Sequence, residues 1–193
     1  MRTNSQLKGV FCLEGLLDLD LANGSTVQGI LKLLQDNLDI PFFYKDFAVE
    51  GELFYYLKKW AQAKYDRWPI LYLSTHGGEF EIWDSKTGHR LDEIAEHLAG
   101  KCENRMLVVS SCSTMAANKR LLKEFLKKTG FLGICGYKND VGFLKAAAFE
   151  LLLIAEMQSN EFSGRGVESI RKRSVAIAKD FKDLDFRMVT LQD

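Results

Sequence analysis

An apolar run, Ile70-Leu71-Tyr72-Leu73-Ser74-Thr75, leads directly into His76-Gly77-Gly78. Apolar residues at nearly every position are typical of a strand that is buried on both faces of a sheet. A second run of the same kind, Met106-Leu107-Val108-Val109-Ser110-Ser111, leads into Cys112. The sequence therefore predicts two buried strands, each of which ends in a reactive side chain.

Helical and extended patterns alternate on both sides of these two strands. Further strands are predicted over 8–14, 41–47, 131–137 and 185–191, and a hairpin over 79–84 with a turn at 85–88. Helices are predicted over 27–38, 50–64, 91–98, 115–128, 143–157 and 167–181. This alternation predicts an α/β three-layer sandwich with a mostly parallel central sheet and a small hairpin after the His76 strand. A length of 193 residues suggests that 1–193 is a single domain.

Composition excludes several classes of function. Lysine plus arginine number 26 and aspartate plus glutamate number 26, so the chain lacks the positive excess that non-specific nucleic-acid binding needs. No apolar run reaches the roughly 18 to 20 residues that span a bilayer, and the first residues do not resemble a secretory signal. We therefore expect a cytoplasmic protein without membrane or nucleic-acid partners, with free thiols at Cys12, Cys102, Cys112 and Cys135. Because no CxxC pair is present, we expect no metal, and we expect no cofactor.

The two reactive side chains point to nucleophilic catalysis. If their strands are parallel neighbours, His76 and Cys112 emerge at the same edge of the sheet, where α/β proteins place their chemistry. Thiolate and imidazole together supply a nucleophile and a general base and acid. A helix over 115–128 is expected to place Cys112 at its N-terminus, where backbone N–H groups favour the thiolate. The amides of Gly77 and Cys112 are candidates for an oxyanion hole.

The pattern of apolar strand and His-Gly, then apolar strand and Ser-Cys, resembles the caspase-like cysteine peptidases, especially the bacterial CHAT-type members. The segments 132–137 and 146–150 are similar to the part of those proteins that follows the catalytic strand. The resemblance covers roughly residues 70 to 155. It implies that His76 is the acid/base, that Cys112 is the nucleophile and that Gly77 supplies an oxyanion-hole amide. It further implies a peptidase acting on protein or peptide substrates in a defence or cell-death setting, switched on by a small nucleotide signal or a protein activator.

The sequence departs from the caspase-like pattern at two places. Ser110 stands where several relatives carry Asp or Gln facing the pocket for the residue before the cleaved bond, so the charge of that pocket is open. Asp140 is one acidic candidate for recognising Arg or Lys there, and an ordinary loop carboxylate is the alternative. Gly130 runs almost directly into the strand at Phe131, which leaves no long loop for maturation by cleavage.

The remaining polar and aromatic side chains are interpreted as structural. His89 and His97 are expected to be solvated. Cys12, Cys102 and Cys135 are interpreted as structural thiols, and Glu79, Glu81 and Asp84 as a solvated hairpin face with orientation of His76 as the alternative. An aromatic group is interpreted as core and rim, with a homo-oligomer or ligand surface as the alternative; it comprises Phe42, Phe43, Tyr44, Phe47, Phe54, Tyr55 and Tyr56.

The sequence leaves one main alternative to a peptidase and disfavours another. A catalytically silent binding or sensing module of the same fold is the main alternative, and the presence of both His76 and Cys112 favours the enzyme. A phosphate-binding site is disfavoured because the sequence has no GxxxxGK[ST] loop and no GxGxxG after a strand. A Cys-x5-Arg cradle is also missing, since Asn118 stands where its arginine would fall.

Overall fold

A sheet of six strands forms the centre of the structure, a computed structural model that describes residues 7–16 and 24–193. The strands within these residues are β1 (Val10–Gly15), β2 (Phe42–Phe47), β3 (Ile70–Ser74), β4 (Gly77–Gly78), β5 (Glu81–Trp83), β6 (Gly88–Arg90), β7 (Met106–Ser110), β8 (Gly133–Tyr137) and β9 (Phe186–Thr190). The α-helices are α1 (Gln28–Leu38), α2 (Glu50–Trp60), α3 (Leu91–Leu98), α4 (Lys119–Thr129), α5 (Phe143–Glu156) and α6 (Gly164–Ile177).

The strand order in the large sheet is β2-β1-β3-β7-β8-β9. Every neighbouring pair is parallel except β8 with β9, which is antiparallel. The prediction of an α/β fold with a mostly parallel central sheet is confirmed.

Side chains of the central strands alternate between two separate cores. Leu71 and Leu73 of β3 pack in a core with residues of α2, α3 and α4, whereas Ile70 and Tyr72 pack in a core with residues of α1, α5 and α6. Successive side chains of a strand point to opposite faces, so a strand covered by helices on both faces is apolar at successive positions. This arrangement gives the three layers that the sequence predicted.

The register of β3 against β7 fixes where the functional residues emerge. The two strands are parallel neighbours, with Leu73 opposite Val109 and Ser74 opposite Ser110. The Thr75 amide donates to the Ser110 carbonyl at 3.0 Å, which continues the pairing beyond β3. His76 and Cys112 therefore leave the sheet at the same edge, as the sequence predicted.

A small antiparallel sheet, β4-β5-β6, follows the His76 strand. The predicted hairpin is confirmed, and the glycines Gly77 and Gly78 add a third strand beside it. The Phe80 amide donates to the Thr114 carbonyl at 3.2 Å, and the Thr114 hydroxyl donates to the Glu81 carbonyl at 2.8 Å. The hairpin is thus hydrogen-bonded to the segment that follows Cys112.

Three helices differ from the prediction at their ends. The helix predicted over 115–128 begins only at Lys119, where the Asn118 side chain caps it by accepting from the Arg120 amide at 2.8 Å. Asparagine is among the best N-cap residues, which explains this start. The helix predicted over 50–64 ends at Trp60, and the one predicted over 167–181 runs over Gly164–Ile177, capped by Ser163.

Within the described residues, no helix is long and apolar enough to cross a membrane.

Substitution of Gly136 tests how closely β8 packs on β7. A Cβ atom there would collide with the Val109 carbonyl oxygen and lie 3.2 Å from Met115 Cγ. We expect Gly136→Ala to lower the free energy of unfolding by about 1–3 kcal/mol in urea titrations, because neither the backbone nor the core can move freely. Gly51→Ala is the matched control, since nothing lies within 4 Å of its Cβ position. An equal effect of the two substitutions would contradict this packing.

Candidate active site

His76 and Cys112 line one cavity at the carboxyl edge of the sheet. His76 follows β3 after Thr75, and Cys112 follows β7 after Ser111. The cavity has a volume of about 170 Å³ and is lined by Ser25, Ser74, Thr75, His76, Ser110, Ser111, Cys112, Val141, Phe143 and Ala146. The structure therefore brings together the histidine and the cysteine that the sequence singled out.

Cys112 is the one cysteine of the chain that solvent reaches. Cys12, Cys102 and Cys135 are buried, whereas Cys112 is partly exposed. Burial raises the pKa of Cys102 to about 12 and raises the pKa of Cys12 and Cys135 as well. A thiol must lose its proton to act as a nucleophile, so the three buried thiols suit the structural role that the sequence predicted for them.

Hydrogen bonds fix the backbone around Cys112 on both sides. Ser111 and Thr114 share a hydrogen bond between their hydroxyls at 2.6 Å. Ser113 has a left-handed backbone with φ of 60°, and its amide donates to the Asn139 carbonyl at 3.2 Å. Cys112 thus sits in a tight turn whose conformation is set by its neighbours.

The expected position of Cys112 at the N-terminus of an α-helix is wrong. The turn leads into a single-turn 3-10 helix, Thr114–Ala116, and α4 begins only at Lys119. The left-handed Ser113 interrupts a continuous helix after Cys112. Cys112 therefore lies outside the first turn of α4, the range over which a helix dipole acts.

The hairpin holds the backbone on the histidine side. The Trp83 amide donates to the His76 carbonyl at 2.9 Å, and the Thr75 hydroxyl donates to the Trp83 carbonyl. A Cβ atom on Gly77 would lie 2.7 Å from the Glu81 carbonyl oxygen and 3.0 Å from Ser111 Cβ. Only glycine allows the hairpin to approach the strand end that delivers Cys112, which places the Gly77 backbone beside the nucleophile segment.

The two residues proposed for a substrate pocket lie in different places. Ser110 lines the cavity. Asp140 is exposed, and its carboxylate accepts a hydrogen bond from the Ser113 hydroxyl at 3.0 Å. Asp140 does not line the cavity, although its neighbour Val141 does.

A buried carboxylate that the sequence analysis missed lies behind Ser110. Glu150 of α5 is 1% exposed and accepts hydrogen bonds from the hydroxyls of Tyr72 at 2.5 Å and Tyr137 at 2.8 Å. Burial raises the pKa of Glu150, while hydrogen bonds from Ser110, Tyr72 and Tyr137 act in the opposite direction. The signal was present in the sequence, since Glu150 interrupts the inward apolar stripe of α5.

A second missed carboxylate, Glu14, ends the neighbouring strand β1. It is 4% exposed and stands opposite Ser74 in the sheet, whose hydroxyl lies 3.5 Å from Glu14 Oε1. It also accepts from the Thr26 hydroxyl at 2.6 Å, the Val27 amide at 2.8 Å and the Tyr44 hydroxyl at 2.5 Å. Glu14 therefore satisfies an amide at the start of α1 and faces the edge where the cavity opens.

The expectation that His89 is solvated is wrong. Its residue is 3% exposed, and its Nε2 lies 3.0 Å from Asp84 Oδ2 and its Nδ1 3.7 Å from Glu93 Oε2. His89 lies in β6, and its side chain points inward. It contacts the Phe54 ring of α2 edge-on, with 5.5 Å between the ring centroids. Asp84 is correspondingly buried as well, with a side chain that is 3% exposed.

His76 also borders a second groove, on the hairpin side. This groove has a volume of about 450 Å³ and is lined by Leu16, His76, Trp83, Asp84, Ser85, Lys86, Thr87 and Gly88. His76 thus lines both the cavity of Cys112 and the groove of the hairpin.

Substitution of Asp84 tests whether the charge of its carboxylate stabilises the hairpin. Burial alone would raise its pKa, but hydrogen bonds from the Thr87 amide, His89 and the Lys86 amide outweigh burial and lower the pKa to about 2. Because the folded pKa lies below the ordinary value of 3.8, this carboxylate stabilises the fold above that value and loses its contribution as the pH falls toward 2.

We therefore expect Asp84→Asn to lower the free energy of unfolding by a constant amount above about pH 5, with a difference from the wild type that shrinks below about pH 4. Urea unfolding as a function of pH measures both proteins. A difference that stays the same down to about pH 2 would show that the carboxylate charge is not what holds the hairpin.

Comparison with solved structures finds a similar fold in a caspase. Caspase-1 from Spodoptera frugiperda matches with a TM-score of 0.58 and 10% sequence identity, over 96% of this chain and 87% of that one. At this identity the likeness shows a caspase-like fold. The comparisons do not show the CHAT-type domain that the sequence resemblance favoured. No curated protein matches the chain. A family model covers residues 7–189, and the chain belongs to that family, the family of unknown function designated DUF6642.

Proposed function

We propose that this protein is a cysteine endopeptidase in which Cys112 is the nucleophile and His76 the acid/base. The observation that carries the proposal is the parallel register of β3 and β7, which delivers both side chains to one cavity. Cys112 is accessible, while the other three thiols are buried and have raised pKa values. The caspase-like fold supports the same chemistry.

The proposed reaction proceeds through a thioester. His76 takes the proton of the Cys112 thiol, and the sulfur attacks the carbonyl carbon of the substrate peptide. The oxyanion that forms lies near the amides of Gly77 and Cys112, which are the proposed donors. His76 then gives its proton to the leaving amine as the C–N bond breaks. Water, deprotonated by His76, attacks the thioester and releases the acid and the free thiol.

We further propose control by binding, without proteolytic maturation. The connection between α4 and β8 is short, since α4 ends at Thr129 and β8 begins at Gly133. It is also anchored, because Phe131 is 0% exposed and the Leu132 amide donates to the Arg105 carbonyl at 3.0 Å. A small nucleotide or a protein activator, acting in the cytoplasm in a bacterial defence setting, is the switch that the CHAT resemblance suggests.

One observation favours the alternative, a binding module without turnover. Cys112 lacks the α-helix N-terminus that would stabilise its thiolate, because α4 begins at Lys119. Such a module would bind peptide at the carboxyl edge of the sheet and release it unchanged. The absence of turnover on every member of a peptide library, with a ligand bound at this edge, would favour the module.

A thiol-directed peptide probe tests the assignment of the two residues. We expect the native protein to be labelled on Cys112 alone, and Cys112→Ala to abolish labelling. His76→Ala should slow labelling by about 100-fold, the lower end of what a general base contributes. The rate is measured by intact mass, with peptide mapping to identify the labelled residue.

Cys102→Ala is the matched control, since it removes a thiol that is buried and has a raised pKa. We expect it to be labelled at the wild-type rate. Labelling that survives Cys112→Ala would refute the assignment of the nucleophile, and an unchanged rate in His76→Ala would refute that of the base.

A further inference from the structure

The floor of the Cys112 cavity is a row of hydroxyls backed by carboxylates. Ser74 and Ser110 stand opposite each other at the ends of β3 and β7, and both line the cavity. Behind Ser74 lies Glu14, whose Oε1 is 3.5 Å from the Ser74 hydroxyl. Near Ser110 lies the buried carboxylate of Glu150, which accepts hydrogen bonds from the hydroxyls of Tyr72 and Tyr137.

This arrangement determines which hydrogen bonds the cavity floor can make with a bound group. A hydroxyl has one proton, and Ser74 directs it toward the Glu14 carboxylate. The lone pairs of Ser74 remain for a group inside the cavity, next to the Ser110 hydroxyl. The floor therefore accepts hydrogen bonds, and it favours an occupant that carries donors.

The electrostatics favour a positively charged donor. Glu14 and Glu150 are buried, and no ion pair in the described part of the chain includes either of them. No lysine or arginine is among the residues that line the cavity. Burial raises the pKa of Glu150, so its ionised form would gain from a nearby cation. An acidic side chain, in contrast, would meet two carboxylates, and His76 is the one lining residue that can carry a positive charge.

The walls fit the stem of a long side chain. Val141, Phe143 and Ala146 supply apolar surface on the side of α5, and Ala146 lies one turn before Glu150 on the same helix face. Lysine and arginine place their methylene groups along such surfaces. A water molecule takes up about 30 Å³ of liquid, so 170 Å³ equals the volume of roughly five or six waters.

Resting on the proposed peptidase function, we propose that this cavity binds a Lys or Arg side chain, so that cleavage follows a basic residue. The stem lies against Val141 and Phe143, and the cationic end reaches the oxygens of Ser74 and Ser110. Glu14 and Glu150 supply the compensating charge from behind. Asp140, outside the cavity, is not needed for this recognition.

Matched covalent probes test the proposal. Three peptidyl acyloxymethyl ketones, identical except for Lys, Leu or Asp beside the reactive group, are incubated with the full chain. Thioether formation on Cys112 is followed by intact mass. We expect the Lys probe to react at least about tenfold faster than the Leu probe, the factor of one charge-assisted hydrogen bond, and the Asp probe to react most slowly.

Two variants link any preference to the cavity floor. Glu150→Gln keeps the shape and an acceptor for one of the two tyrosine hydroxyls, which donate to different oxygens of Glu150, but removes the charge. We expect it to reduce the Lys-to-Leu ratio by about tenfold. Ser110→Ala should reduce the same ratio, and it carries the test if Glu150→Gln does not fold. Glu124→Gln is the control: this carboxylate is exposed on α4, and its removal should leave the ratio unchanged.

The outcomes separate the specificity from the peptidase function. Equal rates for the three probes, fastest reaction with the Asp probe, or a ratio that both floor variants leave unchanged would overturn the basic preference and leave the peptidase intact. If iodoacetamide alkylates Cys112 while none of the three peptide probes reacts with it, both proposals fall.

Discussion

The parallel pairing of β3 with β7 is the constraint on which the candidate site depends. Its register sets Ser74 beside Ser110, and the backbone hydrogen bond from Thr75 to Ser110 carries the alignment to the edge of the sheet. The two strands are buried between two cores, so a shift of register would disturb the packing of both faces. The apolar interior thereby holds His76 and Cys112 at the same cavity.

The chemical properties of the carboxyl edge of the sheet depend on the hairpin, α5 and β1, which pack against it. On one side the hairpin closes on the nucleophile segment through Thr114, which requires a glycine at position 77. On the other side α5 brings Glu150 against the strand ends, and β1 brings Glu14. The proposed catalytic residues line the cavity, and the buried carboxylates Glu14 and Glu150 lie behind the serines of its floor. This layering joins a proposed nucleophile to a proposed preference for basic side chains.

Much of the fold, and the common location of His76 and Cys112, could be predicted from the sequence. Both depend on the burial of the strands, which the apolar runs indicate. The apolar runs that end at Ser111 and Thr75 are long and uninterrupted, and such runs mark central strands wherever they occur. The start of α4 differs from the prediction because Asn118 caps the helix and the left-handed backbone of Ser113 interrupts the chain before it. The burial of His89 depends on the ring of Phe54, a partner distant in sequence that no local pattern reveals. Glu150 differs, because it interrupts the inward apolar stripe of α5 and is visible in the sequence.

A crystal structure of the protein after reaction with a peptidyl acyloxymethyl ketone tests the central claim most directly. The account predicts a thioether on Cys112 Sγ, with a His76 ring nitrogen within about 4 Å of that sulfur and the adjacent substrate side chain directed toward Ser110. A sulfur and an imidazole on opposite rims of the sheet would contradict it, as would an adduct on any other cysteine.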